Sequence, residues 1–333
     1  MSAGECQSEV DLTVITVCHN SMATLPHCVG AVQQLMLQGE LRAQYLVVDM
    51  DSDDGTQAYL AAERDRWHIS DYTSESFSNE FAAMNRGLEL ACGKVCVFIR
   101  PEDEMMVENT AACCAPILRG EVGAVFSSTL MVDPISGQAE PRNPNTDHLF
   151  LRTPCRLPSF FCSTELMRRL GGFDGAVYPA LADCDLMHRV LGSGEEYRVV
   201  LLSTCRYYLQ PDEDKPEALH LDFLRFIVAH RTEILQQCCE HPAYAIRTIH
   251  EIQRHTVRCT WPLEQSILDG LEKLLHELRV NVKPVVLRKI CRRLRRRALV
   301  QGALVLFRGM ERARVTLKLC RGNFYVARLL SDR

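Results

Sequence analysis

Two short runs of this 333-residue chain crowd carboxylates into places where they could do chemistry. DMDSDDGT, from Asp49 to Thr56, sets four aspartates within six positions, and PEDE, from Pro101 to Glu104, sets three acids in a row. Carboxylates that close repel one another or take up protons unless a cation or hydrogen-bond donors offset them. A divalent metal carrying a diphosphate meets that requirement. Neither run belongs to GxxxxGK[ST] or GxGxxG, so P-loop and dinucleotide-binding readings fall away. A plainer reading stands beside the metal: Asp and Ser cap helices and Gly serves turns, so any single acid here could be a cap or a solvated charge.

Both runs close an apolar stretch. LTVITV (Leu12 to Val17) has the unbroken β-branched and leucine pattern of a strand buried on both faces, and a helical pattern over Met22 to Gln38 and then YLVVDM follow it, a βαβ opening. The alternation predicts a helix over Thr56 to Arg64, a strand around His68 to Tyr72, a helix over Asn79 to Ala91 and a strand over Val95 to Ile99. The economical arrangement is an α/β fold, a mostly parallel sheet with helices on both faces, and ligands bind such sheets beyond the carboxyl ends of the strands, where both acidic runs lie. Further on, GAVFSSTLMV reads as a strand and DPISGQAEPRNPNTDH as an exposed connection. Helical patterns follow at Ser163 to Leu170 and Leu181 to Leu191, and a strand at Tyr197 to Ser203. Beyond Asp212 the strand signals stop, and the chain reads as helices broken at His241-Pro242, Trp261-Pro262 and Lys283-Pro284.

Residues 1–10 therefore read as a flexible N-terminus, 11–212 as the α/β domain and 213–333 as a helical C-terminal region. The 16 cysteines include adjacent pairs and no CxxC, which argues against a metal cage or a disulfide framework and for reduced thiols. No basic-then-apolar leader opens the chain, and the apolar run Ala298 to Phe307 is about half of the roughly 20 residues a spanning helix needs. A cytoplasmic location is the expectation. Lys283 to Arg333 holds 15 Lys and Arg against 2 Asp and Glu, although the whole chain carries a formal charge of -4. Apolar positions at Val286, Ile290, Leu294 and Ala298, with arginines between them, make 283–333 a basic amphipathic segment. It would either pack on the rest of the protein or dock peripherally on an anionic inner membrane face. No aromatics interleave with its arginines, so nucleic acid is not the expected partner.

Three blocks in order carry a family resemblance: VITVCHN with DMDSDDGT, AAMNRGLELACGKVCVFIRPED, and LGGFDGAVYPALADCDLMHRVL. Over roughly Leu12 to Leu209 they resemble the inverting family 2 glycosyltransferases of the GT-A fold. The resemblance implies a nucleoside-diphosphate sugar as donor and a glycan or lipid-linked saccharide as acceptor, in cell-surface polysaccharide or glycolipid assembly. It also implies Mn2+ or Mg2+ assistance, with Asp103 as metal ligand and Glu102 in place of the acid before it. It places Asn20, Asp49, Asp54, Asn85, Arg86 and Glu102 around the nucleotide sugar, Asp49 toward the base, and makes Asp183 the general base. Asp185 reads instead as an acid suited to a helix start. Several positions depart from the family pattern: Phe77, Asn79 and Ala82, then Arg100 with Pro101, and Arg156 with Leu157. They leave a competing reading, a nucleotide-sugar or partner-binding relative that has lost turnover.

Overall fold

The computed structural model describes residues 10–67, 71–146, 153–209, 217–240, 242–259 and 263–281. The basic segment 283–333 and all but Val10 of the N-terminal stretch lie outside the described residues. The chain divides into two compact units, Met1–Asp147 with Arg152–Asp214, and His148–Leu151 with Lys215–Arg333.

The first unit is built on a mixed nine-stranded sheet. Strands β1 (Leu12–Cys18), β2 (Ala43–Asp49), β3 (Asp71–Ser74) and β4 (Val95–Phe98) form a parallel half ordered β3-β2-β1-β4. Every residue of β1 is buried, which is why its sequence shows no polar alternation. Successive β1 side chains point to opposite faces. Leu12 and Val14 pack in the core with Val29, Val32 and Leu35 of α1 (Leu25–Gln38) and Cys113 and Cys114 of α4 (Val107–Leu118). On the other face, α3 (Glu80–Leu90) comes so close that a Cβ on Gly87 would lie 2.6 Å from Ile15 Cγ2. Helix α2 (Thr56–Trp67) links β2 to β3.

The other half is mixed, as in the GT-A arrangement that the resemblance implied. β8 (Phe160–Ser163) runs antiparallel between β4 and β6 (Ala124–Val132), and β9 (Tyr197–Tyr208) lies parallel to β6 on its far side. β7 (Ala139–Arg142) is an exposed strand inside the polar run expected to be loop. β5 (Glu104–Met105) pairs Glu104 with Arg206 and Met105 with Cys205, which moors the acidic PEDE turn beside the end of β9. Helices α5 (Thr164–Arg169) and α6 (Ala182–Leu191) complete the unit. Twelve described cysteines are free thiols, all but Cys239 buried, while Cys92 is disulfide-bonded, against the expectation of reduced thiols throughout.

The second unit, by itself, is helical: α7 (Glu217–Ala229), α8 (Arg231–Glu240), α9 (Pro242–Arg258) and α10 (Gln265–Asn281). α9 and α10 each pack on both α7 and α8, burying Leu224, Phe226, Ile227, Ile234, Ile252 and Leu274. Pro242 sits at the first position of α9, where a missing N–H costs nothing. No described helix is long and apolar enough to cross a membrane.

Candidate active site

The loops that leave β1 and β2 are tied to each other. The Asn20 N–H donates to Ser52 Oγ (2.8 Å), and the Asp53 N–H returns a bond to Asn20 Oδ1 (2.9 Å). The Ser21 N–H donates to Thr56 Oγ1 (3.1 Å) and the Met22 N–H to Asp54 Oδ2 (2.9 Å). Asn20 and Asp51 take positive φ, 49° and 60°, in the left-handed region that Asn and Asp tolerate best after Gly. Asp54 also accepts from the Thr56 N–H and hydroxyl, and these bonds, with that of Met22, hold its carboxyl below the usual aspartate range. Asp49 is fully buried at the end of β2. Its carboxylate accepts from the Ser52 N–H (3.1 Å) and hydroxyl (2.5 Å), the Ser74 hydroxyl (2.8 Å) and the Cys18 thiol (3.7 Å). Asn20, Asp49 and Asp54, all expected around the donor, are thus gathered at one sheet edge, with the protein itself using their polar atoms to build the loops.

Asn85 and Arg86 lie on α3. The Asn85 side chain pairs with the Phe173 backbone in both directions, accepting from N–H and donating to C=O at 2.8 Å each, so it binds the AMN block to the LGGFD block. Gly172, at φ 66°, makes room for it: a Cβ there would lie 2.3 Å from Asn85 Oδ1. Gly172→Ala should therefore lower stability by about 2–4 kcal/mol, through backbone strain and a broken, partly buried amide pair, read as a shifted midpoint in urea. Arg86 is half-exposed and paired with Glu75 (3.6 Å) and Glu89 (3.2 Å).

Beyond β4 the arrangement differs most from expectation. Asp103, fully buried, gives both carboxylate oxygens to Arg100: Nε to Oδ2 at 2.8 Å and Nη2 to Oδ1 at 3.0 Å. The Tyr208 N–H adds a bond to Oδ1 (3.2 Å). Arg100 Nη1 lies 3.1 Å from Glu102 Oε1, and its guanidinium sits 3.8 Å from the centre of the Tyr207 ring. The Arg156 guanidinium lies over the same ring at 4.5 Å, and its buried Nε has no hydrogen-bond partner among the described residues. Burial pushes the Asp103 carboxyl up, and the two bonds from Arg100 pull against it.

Asp183 stands in the first turn of α6. Burial raises its carboxyl above the usual aspartate range, opposed by the Cys184 N–H, which donates to Oδ1 at 2.7 Å, and by the charge of Arg156. Asp185 is a structural acid, accepting from Arg189 Nε at 2.8 Å, and Arg189 also donates to the Gly172 carbonyl. A residue that sequence reasoning passed over joins Asp183: Glu80, the first residue of α3. Its carboxyl is raised by its surroundings in the cleft, then by the charges of Asp183 and Glu102, with Arg100 opposing. Its one sequence signal was an acid in the first helical turn of the AMN block. Glu80, Met84, Phe98, Arg100 and Leu157 line a cavity between α3 and the ends of β1 and β4. The structure therefore brings Glu80, Arg100, Glu102, Arg156 and Asp183 into one electrostatic neighbourhood.

This donor set does not fit a resident divalent metal at Asp103. Both of its oxygens already receive a cation's hydrogen bonds, the neighbouring Glu102 is paired with that same cation, and no group of three or more His, Cys, Asp or Glu among the described residues is arranged to hold an ion. Asp103 was expected to anchor a metal; here Arg100, standing where the family pattern has Asn, holds both of its carboxylate oxygens.

Residues 13–169 match the family described as Glycosyl transferase family 2. No curated protein sequence matches the chain. Among solved structures, S. aureus TarS 1–349 in complex with UDP-GlcNAc superposes with a TM-score of 0.58 at 16% identity, over 82% of this chain and 84% of that one. A mannosyltransferase, PcManGT from Pyrobaculum calidifontis in complex with GDP-Man and Mn2+, superposes with a TM-score of 0.50 at 14% identity, over 97% and 87%. S. aureus TarS as a longer chain gives 0.56 at 14% identity; the match spans 82% of this chain and 51%, about half, of that one. At these identities the likeness shows the fold, which is of GT-A type.

Proposed function

With residues 13–169 matching the Glycosyl transferase family 2 model on a GT-A fold, we propose that the chain moves a sugar from a nucleoside-diphosphate sugar to a hydroxyl of a glycan or lipid-linked acceptor, inverting the anomeric centre. The observation that carries this is Asp183, a desolvated carboxylate at a helix start whose charge reaches the same cleft as Arg100 and Glu102. In a single displacement the acceptor oxygen forms a bond to the anomeric carbon as its proton passes to Asp183. The bond to the diphosphate breaks, and its electron pair leaves with the diphosphate. A carboxylate with a raised pKa is the stronger base for that proton. Glu80 offers a second carboxyl to a sugar hydroxyl in the cleft.

Since burial raises Asp183, the acid limb of the kcat/KM profile should fall above the value of about 3.9 typical of an ordinary aspartate; a limb at or below it would count against this base. The donor is tested by release of nucleoside diphosphate from a panel of UDP- and GDP-sugars with candidate acceptors. The occupied Asp103 favours one competing reading, a binding relative without turnover. Donor binding with no release from any sugar nucleotide would establish that reading instead. Peripheral docking of 283–333 on anionic lipid is a further proposal from the sequence, and flotation with liposomes of differing charge tests it.

A further inference from the structure

We propose that Arg100, held by Asp103 and assisted by Arg156, takes the place of a divalent metal in meeting the donor's diphosphate, so that this site works without a metal. The inference deepens the glycosyltransferase reading and rests on it. Three features of the β4 end support it. Asp103 fixes the Arg100 fork through two bonds that leave the plane of the guanidinium anchored, and the Tyr207 ring lies 3.8 Å below it. A planar, pre-oriented guanidinium is the side chain best matched to phosphate oxygens. Arg100 lines the small cavity between α3 and the ends of β1 and β4. The Arg156 guanidinium shares the same aromatic ring, and its buried Nε lacks a hydrogen-bond acceptor among the described residues.

Glu102 then acquires a role opposite to that of a metal ligand. It is about one-fifth exposed and lies against Arg100 Nη1 at 3.1 Å, while Asp103 takes Nε and Nη2. A phosphate oxygen entering the cleft displaces Glu102 from Nη1 and leaves the Asp103 pair intact. Glu102 is a stand-in anion that a donor must replace, and its charge weakens donor binding. As the diphosphate leaves with the electron pair of the broken sugar bond, Arg100 and Arg156 offset the charge it gathers.

The sign of the Glu102 effect separates the two arrangements. Binding of UDP and GDP to the full chain is measured by titration calorimetry in EDTA and in Mn2+, for the wild type, Glu102→Gln and Arg100→Asn. The expected result is wild-type binding in EDTA that Mn2+ leaves unchanged. Glu102→Gln should bind about fivefold tighter in EDTA. Arg100→Asn should lose binding at least about tenfold in EDTA and recover part of it with Mn2+, because the freed carboxylates then accept the ion. Manganese paramagnetic resonance on the ion alone gives a second reading, with Mn2+ captured by Arg100→Asn and not by the wild type. Wild-type binding that requires Mn2+, or a Glu102→Gln variant that binds more weakly, overturns this inference and leaves the transferase reading standing. Failure of both nucleotides to bind under either condition removes the donor reading and this inference with it. The wild-type comparison decides the matter even if Arg100→Asn does not fold.

Discussion

Replacing Asp183 with Asn should reduce transfer by about 10²- to 10⁴-fold, the usual contribution of a positioned general base, with little change in nucleotide-sugar affinity. The same change should raise the melting temperature at neutral pH. Burial lifts the folded-state pKa of Asp183 above its ordinary 3.8, so the unfolded chain releases this proton more readily, and ionisation opposes folding as pH rises through that interval. An amide of the same shape still accepts from the Cys184 N–H but carries no charge to desolvate. The gain should be complete above the folded pKa and should disappear below the unfolded one. Steady-state kinetics and thermal melts across a pH series read both effects. A gain in stability with an undiminished rate would show that Asp183 is desolvated but not the base, and Glu80, the other raised carboxyl of the cleft, would be the next residue to replace.

Asp103→Ala is expected to cost about 3 kcal/mol, a large part of the 5–15 kcal/mol that stabilises a typical domain. The cost comes from what remains: Arg100, its side chain about one-fifth exposed, would keep its charge with two hydrogen bonds removed, and the Tyr208 N–H would lose its acceptor. Urea unfolding should show a lower midpoint with an unchanged slope. The effect should be much smaller in Arg100→Asn/Asp103→Asn, because replacing both partners removes the stranded charge. A single-variant loss below about 1 kcal/mol would mean that the pair is not a stabilising feature of the folded protein.

These two carboxylates show where sequence reasoning reached and where it stopped. Asp183 was assigned through a block of residues contiguous in the chain, and it stands in the first turn of α6 near the charge of Arg156. Asp103 was assigned in the same way, but its role depends on which cation faces it. Arg100, three residues earlier, was as compatible with a diphosphate as with a structural ion pair. Only the pairing of β5 with β9, which brings the Tyr207 ring and the Tyr208 N–H to the PEDE turn, settles the side-chain geometry there. Asn85 is similar. Its motif was visible, but its amide is used up by a backbone 88 residues away.

The sequence by itself determined the features that rest on local order. These are the βαβ opening from its apolar runs, the three motif blocks, the helix breaks at Pro242 and after Arg258, and the clustering of acids at strand ends. Hydrophobic periodicity and backbone geometry act over a few residues, so they can be read along the chain. The antiparallel strand β8, the exposed strand β7, the partnering of Asp49 with Ser74, the entry of Glu80 into the cleft and the stacking of Arg156 on the Tyr207 ring were decided by tertiary structure. Strand pairing and the balance of buried charge depend on which distant segments supply the donors, acceptors and counter-charges. No single stretch of sequence contains that information.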